Sequence, residues 1–168
     1  RRDPLLAAGV TTVYLAPGRA RLVNGRGAVV KLAGPCPEAR TLKSVGDVSL
    51  TLGDEAENPP GRFEAPLPPS AENFLKPAEP QMPRTRAGGP AAMREAFEAA
   101  IEHARAWRAT GDPAKRPPYD PELLTLGELP AAKTPVRIGT SAAPDVVAGL
   151  SLLKDYGLKG PLVGAAEA

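Results

Sequence analysis

Residues with the chemistry of catalysis or metal binding are scarce in this sequence. The chain has one histidine, His103, and one cysteine, Cys36. A zinc site needs several His, Cys or carboxylate ligands at suitable spacing, and none is placed in that way around His103. His103 also has no serine or cysteine partner in a recognisable nucleophile elbow, so Ser-His-Asp chemistry is not supported. His103 is therefore expected to be a solvated residue on a helix surface.

Charged residues supply two further candidates for a site. Asp54 and Glu55 follow a segment with the pattern of a strand, and they could belong to a functional cluster or to a solvated loop. Arg84 and Arg86 precede a helix, where they could bind an anion near its N-terminus or form a basic surface loop. The glycine-rich run at residues 23–27 is expected to be a tight turn, because a phosphate-binding loop needs a helix directly after it.

The elements that would position such residues are clearest at residues 134–168, which have the pattern of one strand–helix–strand unit. Ser141 is a suitable N-cap for the helix, and Gly157 is a suitable C-cap. The two flanking strands should run parallel. Functional residues in α/β folds follow the C-terminal ends of such strands. Here those ends, residues 139–141 and 164–166, contain no His, Cys, Asp or Lys.

Hydrophobic patterns predict the rest of an α/β fold. Apolar runs with little polar alternation indicate strands that are covered on both faces. We expect one parallel sheet to contain the strands at residues 10–16, 28–32, 135–138 and 162–163, with a possible further strand at 45–52. The helix that starts at Pro90 has an apolar face with members three or four residues apart, namely Met93, Phe97, Ile101, Ala104 and Trp107. A shorter helix is predicted around residues 123–129.

Composition limits the class of molecule. The 168 residues fit one domain, residues 1–168, and the net charge of +2 is small. Scattered basic residues and an aromatic content of 4% argue against nucleic-acid binding. No apolar run is long enough to cross a membrane, and one cysteine excludes an internal disulfide. The 21 prolines concentrate in two segments, and the longer, residues 57–90, is expected to be a loop without regular structure.

Five phrases in family order resemble the metal-dependent amidohydrolase superfamily, in particular its imidazolonepropionase-like members. They are AGVTTVYLAPG (residues 8–18), GRGAVVK (25–31), LTLGD (50–54), PRTRAG (83–88) and the unit at 135–168. The resemblance implies a TIM-type (β/α)8 barrel, of which this chain would cover roughly the second to the sixth strand. It would thus be a partial barrel with a mainly parallel sheet and long Pro-rich loops. The resemblance also implies one or two divalent metals that activate water to attack an amide or cyclic-amide bond.

The chain departs from that family at positions that the resemblance assigns to metal ligands. In the family, one histidine follows the fifth strand, many relatives have a second two residues later, and another follows the sixth strand. Gly139, Ser141 and Gly164 stand at these positions here. Glycine has no side chain to offer a metal, so we expect a degenerate site without a cofactor. The residues that could still line the pocket are Lys31, Arg84 and Arg86.

Three functions are consistent with this pattern. The leading hypothesis is a catalytically degenerate amidohydrolase-like domain, inactive as given, with a scaffold or subunit-interaction role. The alternative is an active hydrolase of amide or cyclic-amide bonds whose Zn ligands come from other segments or from a partner chain. A third is a small-molecule binding module that keeps the pocket at the barrel mouth without the metal.

The length of the chain also bears on its partners. A closed (β/α)8 barrel takes about 250 residues, and this chain has 168. An incomplete barrel would expose unpaired sheet edges. We therefore expect a homo- or hetero-oligomer or a larger parent chain, with no nucleic-acid or membrane partner. The sequence leaves the compartment open between cytoplasm and periplasm.

Overall fold

The computed structural model describes residues 4–57, 83, 85–132 and 134–168, which form an arrangement of α-helices and two β-sheets. The helices are α1 (Pro4–Ala7), α2 (Pro37–Arg40), α3 (Asp54–Glu57), α4 (Gly88–Ala109), α5 (Pro121–Glu128) and α6 (Ala143–Asp155). The strands are β1 (Thr12–Leu15), β2 (Val23–Arg26), β3 (Ala28–Lys31), β4 (Thr41–Lys43), β5 (Val48–Thr51), β6 (Val136–Gly139) and β7 (Leu162–Val163). A single 3-10 turn at Pro113–Lys115 lies between α4 and α5.

The larger sheet has the strand order β2-β5-β6-β7. Strands β5, β6 and β7 run parallel, as predicted for the last two. The possible strand at residues 45–52 is confirmed as β5. The register of β5, β6 and β7 places Thr51 beside Gly139 and Gly139 beside Val163, so the three strands end at the same level. The prediction that Gly139 and Gly164 lie at adjacent C-terminal strand ends is therefore confirmed. Strand β2 pairs antiparallel with β5, although its polar sequence was expected to form only a turn.

The smaller sheet, in the order β1-β3-β4, corrects the prediction of a single parallel sheet. The segments at residues 10–16 and 28–32 do form strands, but they pair antiparallel with each other. Parallel neighbours are usually joined by a helical crossover, whereas the connection from β1 to β3, residues 16–27, contains β2 and no helix. Their apolar runs reflect β-propensity rather than burial, since Leu15 is 54% exposed. The described residues form no closed barrel.

The main hydrophobic core lies between the larger sheet and the helices α4, α5 and α6. Helix α4 starts at Gly88, two residues before the predicted start, and buries Met93, Phe97 and Ala100. The predicted apolar face is only partly confirmed, because Ile101 and Trp107 are half-buried. His103 is also half-buried rather than exposed, since its ring lies 6.4 Å from that of Trp107.

A polar contact joins the two sheets at the N-terminal side of β5. The Tyr14 hydroxyl of β1 donates to the carboxylate of Asp47, which is almost fully buried. Arg137 of β6 places a guanidinium nitrogen 2.9 Å from the other Asp47 oxygen and lies 4.3 Å above the Tyr14 ring. One carboxylate thus holds a residue from each sheet, which fixes the bend at which the chain passes between them.

The contact between Tyr14 and Asp47 predicts a stability change at high pH. Burial, and next the hydrogen bond and charge of Asp47, disfavour the tyrosinate and raise the pKa of Tyr14 from 10.0 to about 12. The stability that neutral Tyr14 contributes is therefore complete below pH 10 and is lost as the pH rises through 12. In an absorbance titration, we expect Tyr14→Phe to lose an ionisation near pH 12. The wild type should also be more stable than this variant at pH 8, with the difference shrinking above pH 10. If Tyr14→Phe showed the same absorbance change near pH 12 as the wild type, the assignment of that ionisation to Tyr14 would be contradicted.

Candidate functional site

The C-terminal ends of β5, β6 and β7 bring together three chain segments that carry charged residues. Strand β5 leads through Gly53 directly into α3, which begins with Asp54 and Glu55. Strand β6 leads through Thr140 into α6, and β7 is followed by Gly164. We call the groups at this edge the strand-end site. It is the place where α/β folds ordinarily position functional residues.

The guanidinium of Arg19 covers the two glycines that the sequence singled out. Its Nε lies 2.7 Å from the point where a Cβ atom at Gly139 would stand. Its two terminal nitrogens lie 3.5 Å from the corresponding point at Gly164. Arg19 Nε is also 2.8 Å from Glu55 Oε2, an ionic contact whose geometry falls short of a hydrogen bond. Arg19 therefore occupies the space of a side chain at position 139 and lies in van der Waals contact with the Cβ point at position 164.

A second arginine links the ends of β5 and α6. Arg86 donates to Asp54 Oδ1 at 2.9 Å, and its other terminal nitrogen lies 3.5 Å from Asp145 Oδ2. Asp145 is 1% exposed and stands in the first turn of α6, where the helix dipole favours a negative charge. It presses against Gly53, whose φ of +89° and lack of a Cβ atom permit this approach. The strand-end site thus pairs two arginines, Arg19 and Arg86, with the three carboxylates of Asp54, Glu55 and Asp145.

The start of α6 is capped by a residue that the local pattern did not suggest. Ser141 was predicted as the N-cap, but Ala142 holds that position and Ser141 is exposed. The backbone N–H of Ala143 donates instead to the Glu167 carboxylate at 3.0 Å. The N–H of Glu167 in turn donates to the Ser141 carbonyl oxygen at 3.3 Å. A carboxylate from after β7 therefore supplies the cap, and sequence distance hides it from a local pattern.

The structure separates the residues that were expected to line a common pocket. Arg86 lies in the strand-end site, whereas Lys31 is exposed at the end of β3 in the smaller sheet. Arg84, and residues 58–82 of the predicted Pro-rich loop, lie outside the described residues. Sequence reasoning missed Arg19, because its loop between β1 and β2 has no local signal for its position over the ends of β6 and β7. It also missed Asp145, whose position marks only the start of a helix.

The donors at the strand-end site do not suit a divalent metal. Within the described ranges, no three His, Cys, Asp or Glu residues are grouped so that they could hold a metal ion. The carboxylates of Asp54, Glu55 and Asp145 each face an arginine instead. The described part of the site therefore supplies ion pairs that hold neighbouring chain segments together.

One solved structure with a similar fold gives an independent comparison. The crystal structure of an amidohydrolase from Thermotoga maritima MSB8 matches with a TM-score of 0.71 and 20% sequence identity. The match covers 94% of this chain and 37% of that protein. No protein-family profile matches the chain, and no curated protein sequence does. The chain therefore has an amidohydrolase-like fold and spans about 37% of the length of that structure.

Among the residues that the structure describes, no helix is both long enough and apolar enough to cross a bilayer.

Proposed function

We propose that this chain is a catalytically degenerate amidohydrolase-like domain with a scaffold or subunit-interaction role. One observation carries the proposal, namely the guanidinium of Arg19 over Gly139 and Gly164. By the resemblance, these two positions correspond to metal-ligating histidines. Arg19 provides a fixed positive charge at that point, and glycine provides no ligand atom.

The scaffold role rests on the topology of the larger sheet. Among the described residues, β2 and β7 are its outer strands, and β7 is paired on one side only. An unpaired parallel strand is a template for a further strand, and in a (β/α)8 barrel the next strand would occupy that place. The match to 37% of a longer amidohydrolase structure agrees with a partial barrel. We propose that another chain, or another part of a larger parent chain, completes the sheet at β7.

The metal content of the purified protein tests this proposal. Untagged protein is incubated with excess Zn²⁺, passed through a desalting column and measured by elemental analysis. We expect far less than one Zn, Mn, Fe or Ni per chain, because Arg19, Gly139 and Gly164 offer no ligand. About one metal per chain, lost when Asp54, Glu55 and Asp145 are replaced by their amides, would contradict the degenerate site. That outcome would favour the alternative of an active hydrolase.

A further inference from the structure

A second concave site lies along the outer strand β2. A cavity of about 450 Å³ opens between the outer strand β2 and the start of α5. It borders Val48, the first residue of β5, and its described lining residues are separate from those of the strand-end site. Much of its lining is apolar and comes from the side chains of Val23, Val48, Pro121 and Leu126. The volume falls in the range of pockets that hold small organic ligands.

Within the part of the chain that the structure describes, the charged groups at the rim of this cavity have no charged partner. Among the described residues, neither Arg21 nor Arg26 pairs with a carboxylate, and Glu122 pairs with no cation. Arg26 instead donates to the Thr125 hydroxyl of α5, which holds its guanidinium across the cavity. The rim therefore combines two positive charges with one negative charge and has a net charge of +1.

The backbone that carries Arg21 is held in place before any ligand binds. Its N–H donates to Asn24 Oδ1 at 3.0 Å, and Asn24 Nδ2 donates to Thr51 Oγ1 at 2.9 Å. Thr51 is fully buried in the sheet. A turn fixed in this way loses little conformational entropy when a ligand binds, which favours affinity.

We propose that this cavity binds a small organic monocarboxylate with an apolar body. The carboxylate would pair with Arg21 and Arg26, since guanidinium groups match carboxylates in charge and geometry. The body would cover Val23 and Leu126, and Glu122 would disfavour a second negative charge. The proposal concerns a site apart from the strand ends and does not depend on the function proposed above.

The shape of β2 favours a small molecule over an added peptide strand. The pairing of β2 with β5 shifts register between Val23 and Gly25, and Gly25 has a φ of +119°. A bulge twists an outer strand and interrupts its row of backbone donors and acceptors, which makes it a poor template for another strand.

Titration with hexanoate, followed by calorimetry and by amide NMR shifts, tests the proposal. We expect saturable binding with a Kd on the order of 1 mM, as for a small fragment. The largest shifts should fall on the amides of Val23, Gly25 and Leu126. Hexanol, which lacks the charge, and adipate, which has a second one, should each bind roughly tenfold more weakly. Equal binding of hexanoate and hexanol, or shifts centred elsewhere, would overturn the proposal.

Variants of the rim separate a specific site from general attraction to a positive surface. Arg21→Ala/Arg26→Ala should weaken hexanoate binding by roughly tenfold or more, since charge-assisted contacts are lost. Lys154→Ala/Lys159→Ala removes the same charge from exposed positions and should leave binding unchanged. Val23→Glu leaves both arginines in place, and it should abolish binding by placing a carboxylate in the cavity. Wild-type affinity in either of the two rim variants would refute the assignment.

Discussion

Replacement of Phe97 by alanine is expected to lower the free energy of unfolding by about 3–5 kcal/mol. Phe97 is 0% exposed and lies in the main core, where its ring stacks on that of Tyr156 with centroids 4.7 Å apart. The substitution removes apolar burial, leaves a cavity and breaks an aromatic pair. Because Phe97 joins α4 to α6 through Tyr156, the loss should affect the whole core. Urea unfolding followed by circular dichroism measures the change.

A matched truncation at an exposed apolar position serves as the control for Phe97. Leu150 is 54% exposed on α6, and Leu150→Ala should change the free energy of unfolding by no more than about 0.5 kcal/mol. A Phe97→Ala variant that loses less than about 1 kcal/mol would show that α4 does not pack on the core as described.

The second large effect is expected at Gly127, where α5 crosses α4. A Cβ atom there would collide with the backbone carbonyl of Ala100 and would lie 2.9 Å from the Cβ atom of Ala104. Backbone atoms inside a helix have no alternative rotamer that would relieve the collision, so the two helices would have to move apart. We expect Gly127→Ala to cost about 1–3 kcal/mol of unfolding free energy, even though alanine favours a helix by about 1 kcal/mol.

Gly111 provides the same substitution without the crowding. A Cβ atom at Gly111 would meet no atom within 4 Å, and the residue lies in the turn after α4. Gly111→Ala should therefore change the unfolding free energy by no more than about 0.5 kcal/mol. Both variants can be compared in one thermal unfolding series. Equal stability of the two variants would contradict the close approach of α4 and α5.

The predictable part of the fold was the part that local patterns determine. The parallel strands β6 and β7 and the helix between them could be predicted, because the crossover is long and both strands are apolar. The pairing of β1 with β3 could not, since a run such as Thr12–Leu15 favours a strand without selecting its neighbour. Strand β2 was missed for the reverse reason, because an outer strand tolerates polar residues and glycine.

The candidate site, like the fold, could be predicted from the sequence only in part. The adjacency of Gly139 and Gly164 follows from two parallel strands that end together, and the sequence predicted it. The position of Arg19 over both glycines depends on how a loop folds back onto the sheet, and no local rule determines that. The carboxylate of Glu167 at the start of α6 likewise comes from 24 residues away. The site could not be predicted in full because Arg19 and Glu167 are placed by contacts between segments that are distant in sequence.

The claim that Arg19 occupies the space above Gly139 can be tested by a double-mutant cycle. Gly139→Ala in the wild type should displace the guanidinium from Glu55 and cost roughly 1 kcal/mol of unfolding free energy. Gly139 has no positive φ, so alanine itself is not strained there. In an Arg19→Ala background, the same substitution meets no guanidinium and should be neutral or slightly stabilising.

The coupling energy from the unfolding free energies of these four proteins is the most direct measurement of the central claim. We predict that the double variant is more stable than the sum of the single effects by roughly 0.5 kcal/mol or more. That result would place Arg19 against the strand end, as the structure shows. Effects of Arg19→Ala and Gly139→Ala that add within about 0.3 kcal/mol would contradict it, because distant and independent sites behave in that way.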